Sequence, residues 1–119
     1  MRQPAVGIPT SQQVRDLDLV YLARQTAGDR DLEREVLGLF RDQCVRLLRI
    51  MLQNGAEQSR LDAAHTLKGA ARGIGAFRIA DVAETIETAD KAKLATHLAE
   101  LERAIDDARR MIDRLIAAE

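Results

Sequence analysis

His65, Lys68, Gly69 and Arg72 are the residues of this 119-residue chain whose types and spacing suit chemistry. On a helix of about 100° per residue they share one arc, opposite an apolar arc of Ala63, Ala64, Leu67, Ala70, Ala71 and Ile74. The imidazole therefore points away from any core, with Lys68 one turn on and Arg72 two turns on. A neutral imidazole is a competent nucleophile, and histidine's reference pKa of about 6.5 leaves most of it neutral near pH 7. Were it to attack phosphorus, the product would carry roughly two negative charges, which Lys68 and Arg72 are placed to offset. Gly69 carries a cost, because glycine inside a helix loses roughly 1 kcal/mol against alanine. On the solvent arc that cost is explained by access, since a side chain at position 69 would crowd a partner approaching the ring. A glycine serving only close helix packing belongs on the other arc.

Such a constellation needs a rigid helix under it, and the chain is suited to supply one. Both prolines, Pro4 and Pro9, fall near the start, and residues 1–13 lack periodicity and apolar mass. They read as a flexible N-terminal arm, with one domain over residues 14–119. The remainder is free of proline and rich in Ala, Leu, Arg and Glu, the helix-forming set. Five helical segments follow. A short one runs from about Asp18 to Ala27 and stops at Gly28. Asp29 caps the second, with Asp31 and Glu33 in its first turn and a stripe of Leu37, Phe40, Cys44, Leu47 and Met51 at steps of three and four. It ends at Asn54-Gly55. The third covers roughly Glu57 to Arg72 and loosens at Gly73 and Gly75. The fourth covers Ala76 to Thr88, with Ile79, Ala83 and Ile86 inward. Asp90 can cap the fifth, on which Leu94, Leu98, Leu101, Ile105, Ala108, Ile112 and Leu115 form a heptad-like seam.

Short connections force antiparallel neighbours. The expected fold is all-α: an antiparallel up-down-up-down four-helix bundle with a short N-terminal covering helix. Four amphipathic helices can satisfy one another, so the stripes read as core and a monomer is expected. The 18 basic and 19 acidic residues give no general attraction to nucleic acid or to an anionic membrane. With aromatic residues at only 3%, base-stacking platforms are nearly excluded as well. No apolar run approaches the ~20 residues of a membrane span. A single cysteine, Cys44, cannot form an internal disulfide framework and suits a reducing, cytoplasmic setting.

The run His65-Thr66-Leu67-Lys68-Gly69-Ala70-Ala71, followed by Gly75-Ala76, resembles the signature of histidine-containing phosphotransfer (HPt) domains of bacterial phosphorelays. The resemblance extends upstream to Leu17-Asp18, Gly28-Asp29 and Leu39-Phe40, and downstream to Ile86-Glu87, where the family commonly has Leu-Glu. It spans Asp16 to Leu115. The resemblance implies that His65 is the phosphorylated nucleophile, Lys68 the lysine stabilising charge near the phosphoryl group, and Gly69 the small residue clearing access. Arg72, where many members carry a small or uncharged polar residue, is a further candidate, as an auxiliary cation or a docking contact. Gly73 departs in the same way, and the connection from Glu87 to Leu94 is compact for the family. By the same resemblance the partners are receiver domains of response regulators and of hybrid histidine kinases, whose aspartate donates or accepts the phosphoryl group. The receiver supplies Mg²⁺, and the chain needs no cofactor of its own. A phosphocarrier without autokinase activity or nucleotide binding is expected, and opening on Met1 with a short arm it reads as free-standing.

Three rival readings meet obstacles in the residues. Arg78-Ile79-Ala80-Asp81-Val82-Ala83 followed by Thr88 to Leu94 has the outline of a helix-turn-helix. Yet Asp81, Glu84, Glu87 and Asp90 give it the wrong sign for phosphates. A sensor-kinase dimerisation domain needs an attached nucleotide-binding module, and Gly73-Ile74-Gly75 lacks the preceding strand of a phosphate loop. A di-metal bundle needs Glu-x-x-His pairs, whereas Asp62 and Leu94 stand three residues before His65 and His97. His97 reads as a partly exposed surface histidine and Cys44 as a small core residue. Arg41, Arg46 and Arg49 read as a solvated face that could also meet an acidic partner.

Overall fold

The first three helix starts can each be traced to a side chain that satisfies free backbone N–H groups there. Asp29 accepts from the Leu32 N–H at 3.0 Å and begins the long α3, Arg30–Leu52. Asp18 accepts from the Tyr21 N–H at 3.1 Å and begins α2, Leu19–Gln25. Thr10 and Gln13 form a reciprocal capping box, Oγ1 accepting from the Gln13 N–H and Oε1 from the Thr10 N–H. That box opens α1, Ser11–Asp16. The structure, a computed structural model, describes residues 10–53 and 55–118. Its remaining helices are α4 (Glu57–Ile74), α5 (Phe77–Thr88) and α6 (Lys91–Ala117).

α3 packs on α4, α4 on α5, α5 on α6, and α6 back on α3. With short turns between them, this closed ring is the expected up-down-up-down bundle. Its axis is long: the molecule measures 52 × 27 × 20 Å. The core holds the whole predicted α3 stripe of Leu37, Phe40, Cys44, Leu47 and Met51, with Leu67 of α4, Ile79 and Ile86 of α5, and Leu101, Ile105 and Ile112 of α6. Each large apolar side chain so covered contributes about 1.5–3 kcal/mol. On α4 the buried positions are Ala63, Ala64, Leu67 and Ala71, three of them alanines, which lets α4 lie close against its neighbours. The Cys44 thiol is buried in this core and burial pushes its pKa up to about 12. That keeps it an inert small apolar residue.

Several expectations need correction. Of the residues 1–13 expected as a flexible arm, Thr10 caps α1 and Ser11 to Gln13 form its first turn; residues 1–9 lie outside the described residues. α1 packs on α5 and α6, so α2 is joined by a second covering element. α2 does not stop directly on Gly28. Ala27 takes the first left-handed position (φ 53°) and Gly28 the second (φ 76°). The Gly28 N–H returns to the Ala23 carbonyl at 2.9 Å and the Ala27 N–H to that of Arg24 at 3.3 Å, a paired C-terminal bond pattern. α3 ends at Leu52, and of the predicted stop Asn54-Gly55 the asparagine lies outside the described residues. α4 runs through Gly73 to Ile74 before Gly75 ends it. Asp90 stands at the start of α6 without a side-chain cap bond; its carbonyl accepts from the Lys93 N–H at 3.2 Å. Leu94, Leu98 and Leu115 are only partly covered, while Ala104 is fully buried.

Gly75 fixes how the covering helix meets the bundle. It is left-handed at φ 90°, a conformation that costs an L-residue roughly 1–2 kcal/mol. A Cβ there would lie 3.0 Å from the Asp18 carbonyl oxygen and 3.1 Å from the Tyr21 ring. In return the Asp18 N–H donates to the Gly75 carbonyl at 3.0 Å, and Tyr21 meets Phe77 edge-on at 5.2 Å. The end of α4 is thereby clamped to α2.

Candidate functional site

α4 and α5 run antiparallel through the tight turn at Gly75 and Ala76, and this lays the end of α5 beside the middle of α4. The consequence is a direct contact. Glu87, in the last turn of α5, sets Oε2 2.9 Å from His65 Nδ1. Its other oxygen, Oε1, lies 2.5 Å from Lys68 Nζ in an ion pair without hydrogen-bond alignment. The ammonium of Lys68, then the contact with His65, holds the Glu87 carboxyl below the usual carboxylate range against the opposing effect of burial. An ionised carboxylate only accepts, so the imidazole carries its proton on Nδ1. The neutral ring then has its lone pair on Nε2, which has no hydrogen-bond partner among the described residues.

The three members differ sharply in exposure. The His65 side chain is 72% exposed, Lys68 16% and Glu87 19%. The ring thus stands out from a largely covered ion pair, as the helical wheel predicts for His65. The wheel misplaces Lys68, whose ammonium is turned under α5 by Glu87 instead of projecting into solvent. Arg72 is also engaged: it donates to Glu84 at 3.2 Å, both side chains being about half exposed (50% and 53%). An exposed pair of this kind contributes about 0.2–1 kcal/mol. Gly69 is on the open side as expected, and a Cβ built on it would meet nothing within 4 Å; the same holds at Gly73.

His65, Lys68 and Gly69 are therefore brought together, with Arg72 one step removed. Sequence reasoning missed Glu87 and Glu84 as site residues. Glu87 enters it only through the Ile86-Glu87 resemblance and as an acidic charge unsuited to DNA. The available signal was geometric: a tight turn after α4 folds the last turn of α5 onto the middle of α4, and Glu84 and Glu87 share one face at i, i+3.

The second histidine is a different object. His97 is largely covered and its Nδ1 pairs with Glu100 on the same helix at 2.9 Å. The segment with a helix-turn-helix outline is committed to the fold, because Arg78 turns inward to Asp16 and Asp107 at 3.0 and 2.8 Å. Arg41 is held by Asp113 at 2.9 Å and Asp42 at 3.3 Å, while Arg46 and Arg49 remain exposed. Among the described residues no three metal-ligating side chains cluster, and no helix is long and apolar enough to cross a membrane.

A helical bundle presenting one exposed imidazole from mid-helix is the architecture of a phosphocarrier. The model of the Hpt domain matches residues 35–117, well over half the chain, and the chain belongs to the Hpt domain family. Among solved structures it is similar to the crystal structure of histidine phosphotransferase ShpA from Caulobacter crescentus. The two share 35% sequence identity and a TM-score of 0.66, the match covering 83% of this chain and 88% of that one. No curated protein matches the chain in sequence. Membership makes it a histidine phosphocarrier of phosphorelays, a carrier more than an enzyme, in partnership with two-component kinases and response regulators.

Proposed function

We propose that His65 carries the phosphoryl group, taking it from and returning it to the aspartate of response-regulator receiver domains, including those of hybrid histidine kinases. The observation that carries this reading is the contact of Glu87 with Nδ1, which leaves Nε2 of a 72% exposed ring as the nucleophilic atom. In the forward step the Nε2 lone pair forms the N–P bond as the P–O bond to the aspartyl group breaks. The aspartate leaves as a carboxylate with the electron pair. Nδ1 keeps its proton, so the ring becomes cationic, and the Glu87 carboxylate beside it stabilises that charge. The reverse step runs through the same contacts.

Lys68 acts in this scheme by keeping Glu87 ionised and in place, and Gly69 by leaving the approach to the ring open. Mg²⁺ comes with the receiver's own aspartate site, and the chain contributes nucleophile and docking surface without nucleotide binding or autokinase activity. A cytoplasmic monomer completes the reading, four helices having satisfied one another's apolar faces.

The test is transfer from a phosphorylated receiver to wild type, His65→Gln and His97→Gln. Acid-labile label is expected on wild type and His97→Gln and absent from His65→Gln. Label retained by His65→Gln would contradict the assignment.

A further inference from the structure

We propose that Arg72, released from Glu84, is the cation that holds the phosphoryl group of phosphorylated His65, while Lys68 stays on Glu87. The inference rests on His65 being the phosphorylated residue. It starts from the unequal commitment of the two cations. Lys68 is largely covered and closely paired with a carboxylate that is itself largely covered and also holds the imidazole. Moving its ammonium to a phosphoryl group would strand that carboxylate and loosen the ring it orients. Arg72 has no such obligation. Its one polar partner among the described residues, Glu84 at 3.2 Å, lies at a half-exposed surface where water can replace either partner.

Position favours the same residue. Seven residues along a helix return to within about 20° of the starting direction, so Arg72 stands almost in line with His65. Long helical side chains lean toward the helix N-terminus, which carries the Arg72 guanidinium back toward the ring. The surface crossed on the way is bare, since Gly69 has open space where a Cβ would be. Glu84 precedes Glu87 by three residues, about 4.5 Å along α5. The guanidinium therefore rests within a turn of the carboxylate that touches His65. Glu87 holds Nδ1, so a phosphoryl group on Nε2 lies on the side of the ring away from Lys68's partner.

Chemistry supplies the exchange. A phosphoryl group carries roughly −1.5 to −2 charge and three acceptor oxygens, against one charge on Glu84. The planar guanidinium can grip such a group through two parallel N–H bonds. Glu84 then serves as the resting place of the cation when His65 is unmodified.

Phosphoramidate, a small donor that needs no docking surface, tests this on the intact chain. Wild type, Arg72→Gln, Arg72→Lys, Glu84→Gln and the double variant Arg72→Gln/Glu84→Gln are compared, with thermal melting confirming that each folds. Phosphorylation of His65 should slow by about 3–10-fold in Arg72→Gln and recover in part in Arg72→Lys. Glu84→Gln should accelerate it about 2–3-fold by freeing the guanidinium, and the double variant should show none of that gain. In the phosphorylated wild type the Arg72 guanidinium NMR resonance should move. Equal rates for wild type and Arg72→Gln overturn the proposal, as does a Glu84→Gln gain that persists without Arg72. A defect seen only with a receiver donor also overturns it, making Arg72 a docking contact. No label on His65 in the wild type would overturn the His65 reading itself, and this proposal with it.

Discussion

α5 carries a cation–carboxylate cluster at each end, built from the same kinds of residue and put to opposite uses. At its first turn Arg78 reaches between Asp16 of α1 and Asp107 of α6, at 3.0 and 2.8 Å, and Gln12 adds a bond to Asp16 at 3.0 Å. Asp107 also receives Arg110. At its last turn Glu87 stands between Lys68 and His65. In the first cluster the Asp16 side chain is only 5% exposed and every charge is answered within the protein, which leaves nothing for a ligand. The second is also largely covered at Lys68 and Glu87, but its third member is an exposed imidazole held by one nitrogen. The difference shows that a site is made by the atom left over after pairing, and residue type alone does not select it.

The comparison breaks most visibly at the first cluster. Arg78→Ala leaves Asp16 covered without its cation and should cost about 2 kcal/mol or more, read as a lower urea midpoint. The folded fraction should still be phosphorylated at the wild-type rate. A variant that unfolds readily and has also lost phosphorylation while folded would mean the two clusters are coupled through α5.

Gly69 on the open face of α4 and buried Gly75 at its end make a parallel contrast. Gly75→Ala must hold a left-handed backbone against the Asp18 carbonyl and the Tyr21 ring, and should lose about 2 kcal/mol. Gly69→Ala adds a methyl group in open space and should leave stability unchanged or raise it by up to about 1 kcal/mol. Gly69→Leu should fold normally, slow transfer from a receiver, and react with a small donor almost as wild type does. Unfolding of Gly69→Leu would make position 69 a packing residue.

Glu87→Gln sharpens the second cluster. It keeps shape and removes charge, so the protein should still fold with a lowered melting temperature at neutral pH, while phosphorylation slows about tenfold, or 1.4 kcal/mol of barrier. It should also alter the response to acid. The folded pKa of Glu87 lies below its unfolded value, with Lys68 the first cause. Its contribution to stability is therefore full above the unfolded pKa and lost as pH falls through the folded one. Wild type should lose more stability than Glu87→Gln when acidified from about pH 5 to pH 3.

Much of this molecule can be read from its residues because its helices are locally encoded. The α3 stripe matches burial residue for residue, since a 23-residue amphipathic helix repeats its pattern over several turns. α1 escaped detection for the opposite reason: six residues, Ser-Gln-Gln-Val-Arg-Asp, carry too little apolar pattern. It is held by its capping box and by charge pairs to Arg78 and Asp81, partners more than sixty positions away. Thr10 and Gln13 were a legible start signal all the same. At the site, His65 and Gly69 follow from the periodicity of α4 alone. Lys68 does not, because a wheel drawn for one helix contains no α5 to cover it. Glu87 required the pairing of two helices, which depends on the turn at Gly75.

The central claim, that Nε2 of His65 receives the phosphoryl group while Glu87 keeps Nδ1, is most directly tested by NMR of the phosphorylated protein labelled with ¹⁵N in histidine. Coupling between ³¹P and Nε2 of His65, with a proton retained on Nδ1, is the predicted result. Phosphorus on Nδ1 of His65, or on His97, would contradict the account.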